Sequence, residues 1–292
     1  MSSVISSPTA TRAIPFRKMN GLGNDFVVLD ARQRPLAISE EQARAIADRT
    51  SGVGCDQLIV MERSPTADVR MRIWNAEGGE VQSCGNASRC IADIVMSETG
   101  NSTATIDTKG GFLTARKAGP LMVTIDQGRP RFDWKDIPLS EAFADTRHIE
   151  LQVGPIDKPL LHSPSVVNVG NPHCIFWVQN LDVVDFAKVG PMIEHHPLFP
   201  ERTNVELAQV VARDHVVLKV WERGAGLTKA CGTAACAVMA AGFRLKMIDA
   251  KCRVTLPGGD LFMAVNESNG HVLMTGPLAY EYEGVLPAGL LG

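Results

Sequence analysis

Excess charge of either sign is missing from this sequence, and with it any electrostatic footprint for a polyanionic partner. Its 29 basic and 32 acidic side chains leave a formal net charge of −3, so nucleic-acid binding is not expected. No apolar run approaches the roughly 20 residues that a membrane-spanning helix needs, so no membrane partner is expected either. The first residues, Met1–Ala13, are rich in Ser and Thr and lack the apolar stretch of a secretory signal. They read as a disordered arm, and the chain as cytoplasmic. No two of the seven cysteines are spaced as Cys-x-x-Cys. That argues against a disulfide framework or a zinc ribbon and for a reducing compartment. His195-His196 has no third ligand at a usual spacing, so it reads as a solvated loop and no metal is expected.

What the chain does have is a long-period internal repeat, which constrains the fold before any single element does. Gly23-Asn24 recurs as Gly170-Asn171, Trp74 as Trp221, and Cys84-Gly85 as Cys231-Gly232. The offset is the same each time: 171 − 24, 221 − 74 and 231 − 84 all equal 147. Gln57 falls on Asn204 and Asn75 on Glu222 at that offset. Two similar halves follow, with the boundary in the stretch Gln127–Ile137. Each half reads as short strands (Phe26–Leu29, Val69–Trp74; Cys174–Val178, Val216–Trp221), a glycine-bearing loop, the cysteine, and then a helix. In the first helix Ala87, Cys90, Ile91, Ile94 and Val95 fall on one face, with an end near Gly100-Asn101. The second, Gly232–Met247, is apolar nearly all round until Arg244 and Lys246, as a helix buried at a domain centre should be. Gly110-Gly111 and Gly258-Gly259 mark turns between later strands. The expected fold class is α+β, with two pseudo-symmetric domains, each a β-sheet wrapped around a central α-helix. The N-terminal half spans residues 14–130 and is completed by 277–292; the C-terminal half spans 131–276; the cleft between them holds the active site.

Cys84 and Cys231 each stand at the mouth of a helix, directly before a glycine. The first N–H groups of a helix lack internal partners and the helix dipole places about +0.5 charge there. Such a site is expected to lower a thiol pKa from about 8.5 toward neutrality and to bind a carboxylate. If the halves face each other, two thiols and two helix starts converge on one cleft. An amino acid held there by its carboxylate presents its Cα to one sulfur on each side. One thiolate can remove the α-proton while the opposite thiol returns one, which inverts the stereocentre. The two helix ends stabilise the charge that builds on the carboxylate, so no cofactor is expected. Cys90 and Cys236 face the core, and Cys55, Cys174 and Cys252 have no repeat partner and read as structural.

Gly21-Leu22-Gly23-Asn24-Asp25-Phe26, Gly54-Cys55-Asp56-Gln57, Asn75 with Cys84-Gly85-Asn86, Gly170-Asn171-Pro172-His173, Arg202-Thr203-Asn204 and Glu222-Arg223-Gly224-Ala225-Gly226 through Cys231-Gly232-Thr233 jointly resemble diaminopimelate epimerase. They occur in that family's order across nearly the whole chain. The resemblance implies conversion of LL- to meso-2,6-diaminopimelate in lysine and peptidoglycan synthesis, without a cofactor. It implies Cys84 and Cys231 as the acid/base pair, with Gly85, Asn86, Gly232 and Thr233 on the reacting carboxylate. Asn24, Gln57, Asn75, Asn171, Asn204, Glu222 and Arg223 are implied to hold the rest of the substrate, and His173 and Glu222 to tune the thiols. A homodimer is implied by the resemblance alone. Two departures stand out: Ala87-Ser88 occupies the place of the family's Gly-Ala, and Ala234 follows Thr233 in place of a glycine.

Bland readings remain for some of these positions. Asn24 and Asn171 follow glycines and suit plain turns. Glu222-Arg223 suits a surface ion pair, and His173 a satisfied structural histidine. A proline- or hydroxyproline-type racemase is the nearest competing enzyme, but its substrate has no distal carboxylate for Arg223. A thiol redox sensor is the competing reading outside enzymes; it would not exchange a substrate's α-proton.

Overall fold

The computed structural model describes residues 13–82, 84–287 and 289–290. The arm expected over residues 1–13 therefore lies, except for Ala13, outside the described residues. The first half runs β1 (Pro15–Gly21), β2 (Asn24–Asp30), α1 (Glu40–Ala47), β3 (Gln57–Glu62), β4 (Val69–Asn75), β5 (Glu80–Val81), α2 (Gly85–Thr99), β6 (Thr103–Thr108), β7 (Gly111–Gly119) and β8 (Met122–Asp126). A long connection carries the two-stranded pair β9 (Gln152–Val153) and β10 (Leu161–His162). The second half continues with β11 (Ser165–Asn168), β12 (Pro172–Trp177), α3 (Phe186–Glu194), β13 (Asn204–Ala212), β14 (His215–Glu222), β15 (Gly226–Thr228), α4 (Gly232–Arg244), β16 (Lys251–Leu256), β17 (Gly259–Asn266) and β18 (His271–Pro277), after which β19 (Ala279–Val285) returns to the first half.

Strand pairing repeats between the halves. β2 runs parallel to β3 as β12 does to β13, and β4 parallel to β6 as β14 does to β16; the remaining neighbours are antiparallel. Leu58 faces Trp74 across the first ladder and Val205 faces Trp221 across the second, each pair 147 apart from its counterpart. Two further ladders tie the ends in: β8 pairs with β18, and β19 returns to pair with β1.

Both central helices are buried, α4 because its sequence is apolar nearly all round and α2 although it carries Asn86, Ser88, Arg89 and Asp93. Every residue of α2 from Gly85 to Met96 is buried, and α4 is buried from Ala234 to Gly242. Burial of a side chain such as Ile91 contributes about 1.5–3 kcal/mol. α2 packs against β1, β6 and β8, α4 against β11, β17 and β18, and the two helices touch each other. Gly100, at φ 75°, caps α2 in the left-handed conformation. α4 stops at Arg244, three residues short of the expected Met247. Lys246 turns left-handed at φ 59°, Lys246 N–H donates to Phe243 O and Met247 N–H to Gly242 O. That is a Schellman closure made without glycine, so the composition gave no stop signal.

Two helices were not expected. α1 starts on a reciprocal cap in which Gln42 N–H donates to Ser39 Oγ and Ser39 N–H to Gln42 Oε1. α3 lies 146–147 residues further on (186 − 40 = 146; 194 − 47 = 147), so it belongs to the repeat as well.

Candidate active site

A cleft of about 860 Å³ opens between the starts of α2 and α4. Cys84 and Cys231 are the N-cap residues of the two helices, in closely similar extended conformations (φ −146°, ψ 111° and φ −129°, ψ 109°). Glycine follows each of them where the two helix starts come close and Met274 packs behind. A Cβ on Gly232 would lie 3.7 Å from Gly85 Cα and 3.0 Å from Met274 Sδ, and one on Gly85 would lie 2.7 Å from Met274 Cε. The thioether of Met274 thus fills the gap behind the two helix mouths.

Of the residues expected at the site, Asn24, Gln57, Asn75, Cys84, Gly85, Asn86, Asn171, Glu222, Cys231, Gly232 and Thr233 line the cleft. His173, Asn204 and Arg223 are not part of its wall. Arg223 is turned away because its Nη1 donates to Glu201 O at the surface (3.0 Å). Asn204 stands behind it, accepting Arg223 N–H on Oδ1 (2.9 Å) and donating to Pro172 O. His173 is fully buried behind Asn171.

The expectation of acidic thiols is corrected by the structure. Burial pushes Cys84 up to about 11, against the pull of the Ala87 and Asn86 N–H groups. Burial pushes Cys231 well above 9, and the neighbouring Glu222 charge adds to it, against Thr233 and the Ala234 N–H. Helix starts do favour the thiolates here, but withdrawal from water, nearly complete for Cys231 and less so for Cys84, costs an anion more than a few N–H groups return. Both thiols therefore rest neutral. Burial also raises the Glu222 carboxyl, while donation from the Thr228 hydroxyl and the Cys231 thiol holds it down.

Each thiol has a hydrogen-bonding neighbour, and the two differ. Cys84 Sγ donates to Asn24 Oδ1 (3.7 Å), and Asn24 Nδ2 donates to Asp56 Oδ2 (3.1 Å). Asp56 is held in turn by Arg49, which also grips Asp25. Although burial works against it, hydrogen bonds from Arg49 and Lys18 keep Asp25 far below the usual carboxylate range. Cys231 Sγ lies 3.4 Å from Thr233 Oγ1, and Asn171 Nδ2 donates to that hydroxyl at 3.5 Å. Asn171 Oδ1 faces His173 Nε2 at 2.8 Å, and His173 Nδ1 faces Glu206 Oε1 at 2.6 Å. A continuous chain thus joins Glu206, His173, Asn171 and Thr233 to the second sulfur.

Several residues around the cleft had not been singled out. Glu206 and Glu194 are buried carboxylates. Glu194 accepts from Trp221 Nε1 (2.7 Å) and Gly224 N–H (2.9 Å), which braces the turn after Glu222. Asp56 and Asp25 adjoin Gln57 and Asn24 in sequence, and Glu206 lies two residues beyond Asn204 on the same strand, so strand alternation could have flagged it. Cys55, Cys90, Cys174, Cys236 and Cys252 are buried free thiols. Among the described residues no group of His, Cys, Asp and Glu could hold a metal ion, and no helix is long and apolar enough to cross a membrane.

Known proteins of similar architecture include a probable proline racemase from Agrobacterium radiobacter (TM-score 0.66, 14% identity, covering 94% of this chain and 93% of that one). A hydroxyproline epimerase from Agrobacterium vitis is similar too (TM-score 0.68, 12% identity, 97% and 96%). At such identities these share the fold alone. Sequence similarity runs much higher elsewhere. A diaminopimelate epimerase of Rhodopseudomonas palustris is 51% identical over 271 residues, covering 92% of this chain and 93% of its own. One from Nitrobacter hamburgensis is 50% identical over 278 residues, covering 94% and 96%. The sequence profile of the diaminopimelate epimerase family matches residues 16–132 and 165–280, one stretch for each half of the repeat that frames the two cysteines, and the chain belongs to that family.

Proposed function

We propose that Cys84 and Cys231 are the paired proton acceptor and donor with which this isomerase interconverts LL- and meso-2,6-diaminopimelate, a step of lysine biosynthesis. The observation that carries the assignment is the placing of both sulfurs, as N-caps of two abutting helices, on one cleft. The reacting carboxylate takes the free N–H groups of the two helix mouths at Gly85-Asn86 and Gly232-Thr233. There the two helix ends supply about one positive charge where the enolate develops. The thiolate on one side takes the α-proton and becomes a thiol. The thiol on the other side gives its proton to the carbanion and becomes the thiolate, so the pair is ready for the reverse turnover.

Because both thiols rest neutral, one must lose its proton before it can act. Glu222, to which Cys231 donates, takes that proton. The remainder of the substrate lies against Asn24, Gln57, Asn75 and Asn171. Gln57 Oε1 is buried without a partner among the described residues, and an ammonium group would satisfy it. Arg223 reaches the distal carboxylate by giving up its bond to the Glu201 carbonyl, while Asn204 keeps its backbone in place. The decisive experiment is proton NMR of diaminopimelate with the enzyme in deuterium oxide. The α-proton signal should decay with the wild-type protein and persist with Cys84→Ser and with Cys231→Ser. Exchange at a near-normal rate in either folded variant would remove the two-cysteine assignment.

A further inference from the structure

We propose that Arg89 is the fixed positive charge of the reaction, a buried guanidinium behind the two helix mouths that is neutralised by the anionic charge the reaction brings into the cleft. The proposal rests on the two-cysteine reading and assigns a further residue to that site.

Arg89 sits one turn into α2 and is fully buried, the largest side chain of the core to be so. An arginine in such a place is normally paired with a carboxylate, because an arginine cannot shed its proton. This one forms no ion pair among the described residues. Its Nη2 donates to Asn86 Oδ1 (2.9 Å), its Nε to Pro277 O (3.2 Å), and its Nη1 points at Met274 Sδ (3.8 Å). All three partners are neutral. The slot is shaped for it: a Cβ on Gly276 would lie 3.0 Å from Arg89 Cζ, and one on Gly21 would lie 3.3 Å from Nη2. The ionisable groups that face the guanidinium are three thiols, Cys84 and Cys90 from its own helix and Cys236 from α4.

An uncompensated buried cation is costly, and its position shows what can offset that cost. Asn86 and Met274, its two contacts toward the cleft, adjoin Gly85 and Gly232, where the reacting carboxylate is placed. The cation therefore adds a full charge behind the partial charges of the two helix ends, with Asn86 and Met274 between it and the cleft. The repeat supports a single shared charge. The position in α4 equivalent to Arg89 is Cys236 (89 + 147), a thiol that burial pushes up, so one guanidinium serves both halves. It favours a thiolate at Cys84, where its charge opposes the effect of burial. It also favours the enolate, which is the same species from whichever face the proton leaves.

The test compares Arg89→Gln, which keeps a donor for Asn86 but no charge, with Arg89→Lys, which keeps the charge. Two quantities are read on the folded full-length protein: kcat/KM for α-proton exchange, and the pH midpoint for alkylation of Cys84 by iodoacetamide. In Arg89→Gln, kcat/KM should fall about tenfold or more and the midpoint should rise, because the guanidinium charge that opposes burial at Cys84 is gone. Arg89→Lys should recover most of both. Equal losses of kcat/KM in the two variants with an unmoved midpoint would show that Arg89 merely braces α2, and would overturn the proposal. If Arg89→Gln does not fold, Cys236→Asp sets a carboxylate against the intact guanidinium and should raise the same midpoint; an unchanged midpoint there overturns the proposal too. The alkylation midpoint needs no turnover, so it judges Arg89 even if the wild-type protein failed to exchange the α-proton of diaminopimelate.

Discussion

Replacing Glu206 separates the hydrogen-bond chain at Cys231 from the stability of the core. In the wild type a proton lies between Glu206 Oε1 and His173 Nδ1, whichever of the two owns it. Asn171 Oδ1 can only accept, because Asn171 Nδ2 donates to Thr233, so His173 Nε2 carries a hydrogen and donates to it, and Thr233 Oγ1–H is free to donate to Cys231 Sγ. In Glu206→Leu the imidazole can carry its proton on Nδ1 instead. Nε2 then becomes an acceptor, the Asn171 amide turns over, and Thr233 donates to Asn171 rather than to sulfur. Cys231 loses a hydrogen bond to its charged form, about 1.5–3 kcal/mol, which is roughly ten- to a hundredfold in kcat/KM. Stability should change less. Leaving His173 Nδ1 unpaired costs about 1–3 kcal/mol, but Glu206 Oε2 is already buried without a partner, and its removal offsets much of that. A net change of about 1 kcal/mol moves Tm by roughly 2–4 °C.

Glu206→Gln should stay within about threefold of wild type, because its amide N–H donates to Nδ1 and restores the chain. The pH dependence has a definite sign. Burial raises the Glu206 carboxyl above its ordinary 4.5, opposed by His173. The folded state therefore keeps a proton that the unfolded state releases, and stability falls as pH rises from about 4.5 through the folded value. Glu206→Gln lacks this titration, so the wild type should lose Tm relative to it over that interval. Kinetics of α-proton exchange and thermal melts from pH 4 upward, roughly the range in which the group titrates, read both effects. Full activity in Glu206→Leu would show that the chain does not govern Cys231, and a Glu206→Gln as slow as the leucine variant would show that a carboxylate charge is required.

Arg223→Met should raise KM for diaminopimelate tenfold or more, because a charged hydrogen bond is worth about 1.5–3 kcal/mol. Its Tm should hold, since the side chain bonds only a surface carbonyl; an unchanged KM would confine Arg223 to the surface contact seen here. Alkylation of the substrate-free protein should show a pH midpoint near 11 for Cys84, so that about one molecule in a thousand carries the thiolate at pH 8. A midpoint near 7 would mean that the helix start outweighs burial after all.

The central helices, their strands and both cysteines were legible because each signal is written twice, 147 residues apart, and because an apolar period long enough to make a helix is hard to mistake. α1 and α3 span only 8 and 9 residues, too few turns for the period to declare itself. α1 could have been found from Ser39 and Gln42, but α3 contains Pro191, which reads as a break. The ionisation of the thiols was not legible, because it is decided by residues distant in sequence that exclude water from the sulfurs. The direction of Arg223 was hidden for a similar reason. It follows the last residue of β14, where alternation ceases to say which way a side chain points. Arg89 looks like an ordinary helix charge beside Asp93 and Glu98 until Gly21 and Gly276 close around it.

The ladder between β1 and β19 joins Pro15 to Val285, and that between β8 and β18 joins Asp126 to Leu273. A ribosome releases residues 15–126 long before either partner strand exists. The half of the molecule that is made first is therefore finished last, waiting with open strand edges while roughly 150 more residues are added at about 5–20 per second. The second half has its strands β11 to β18 in hand much sooner. During synthesis the nascent chain carries Cys84 before the cleft that shields it can close, and a holding chaperone would find its target in those edges.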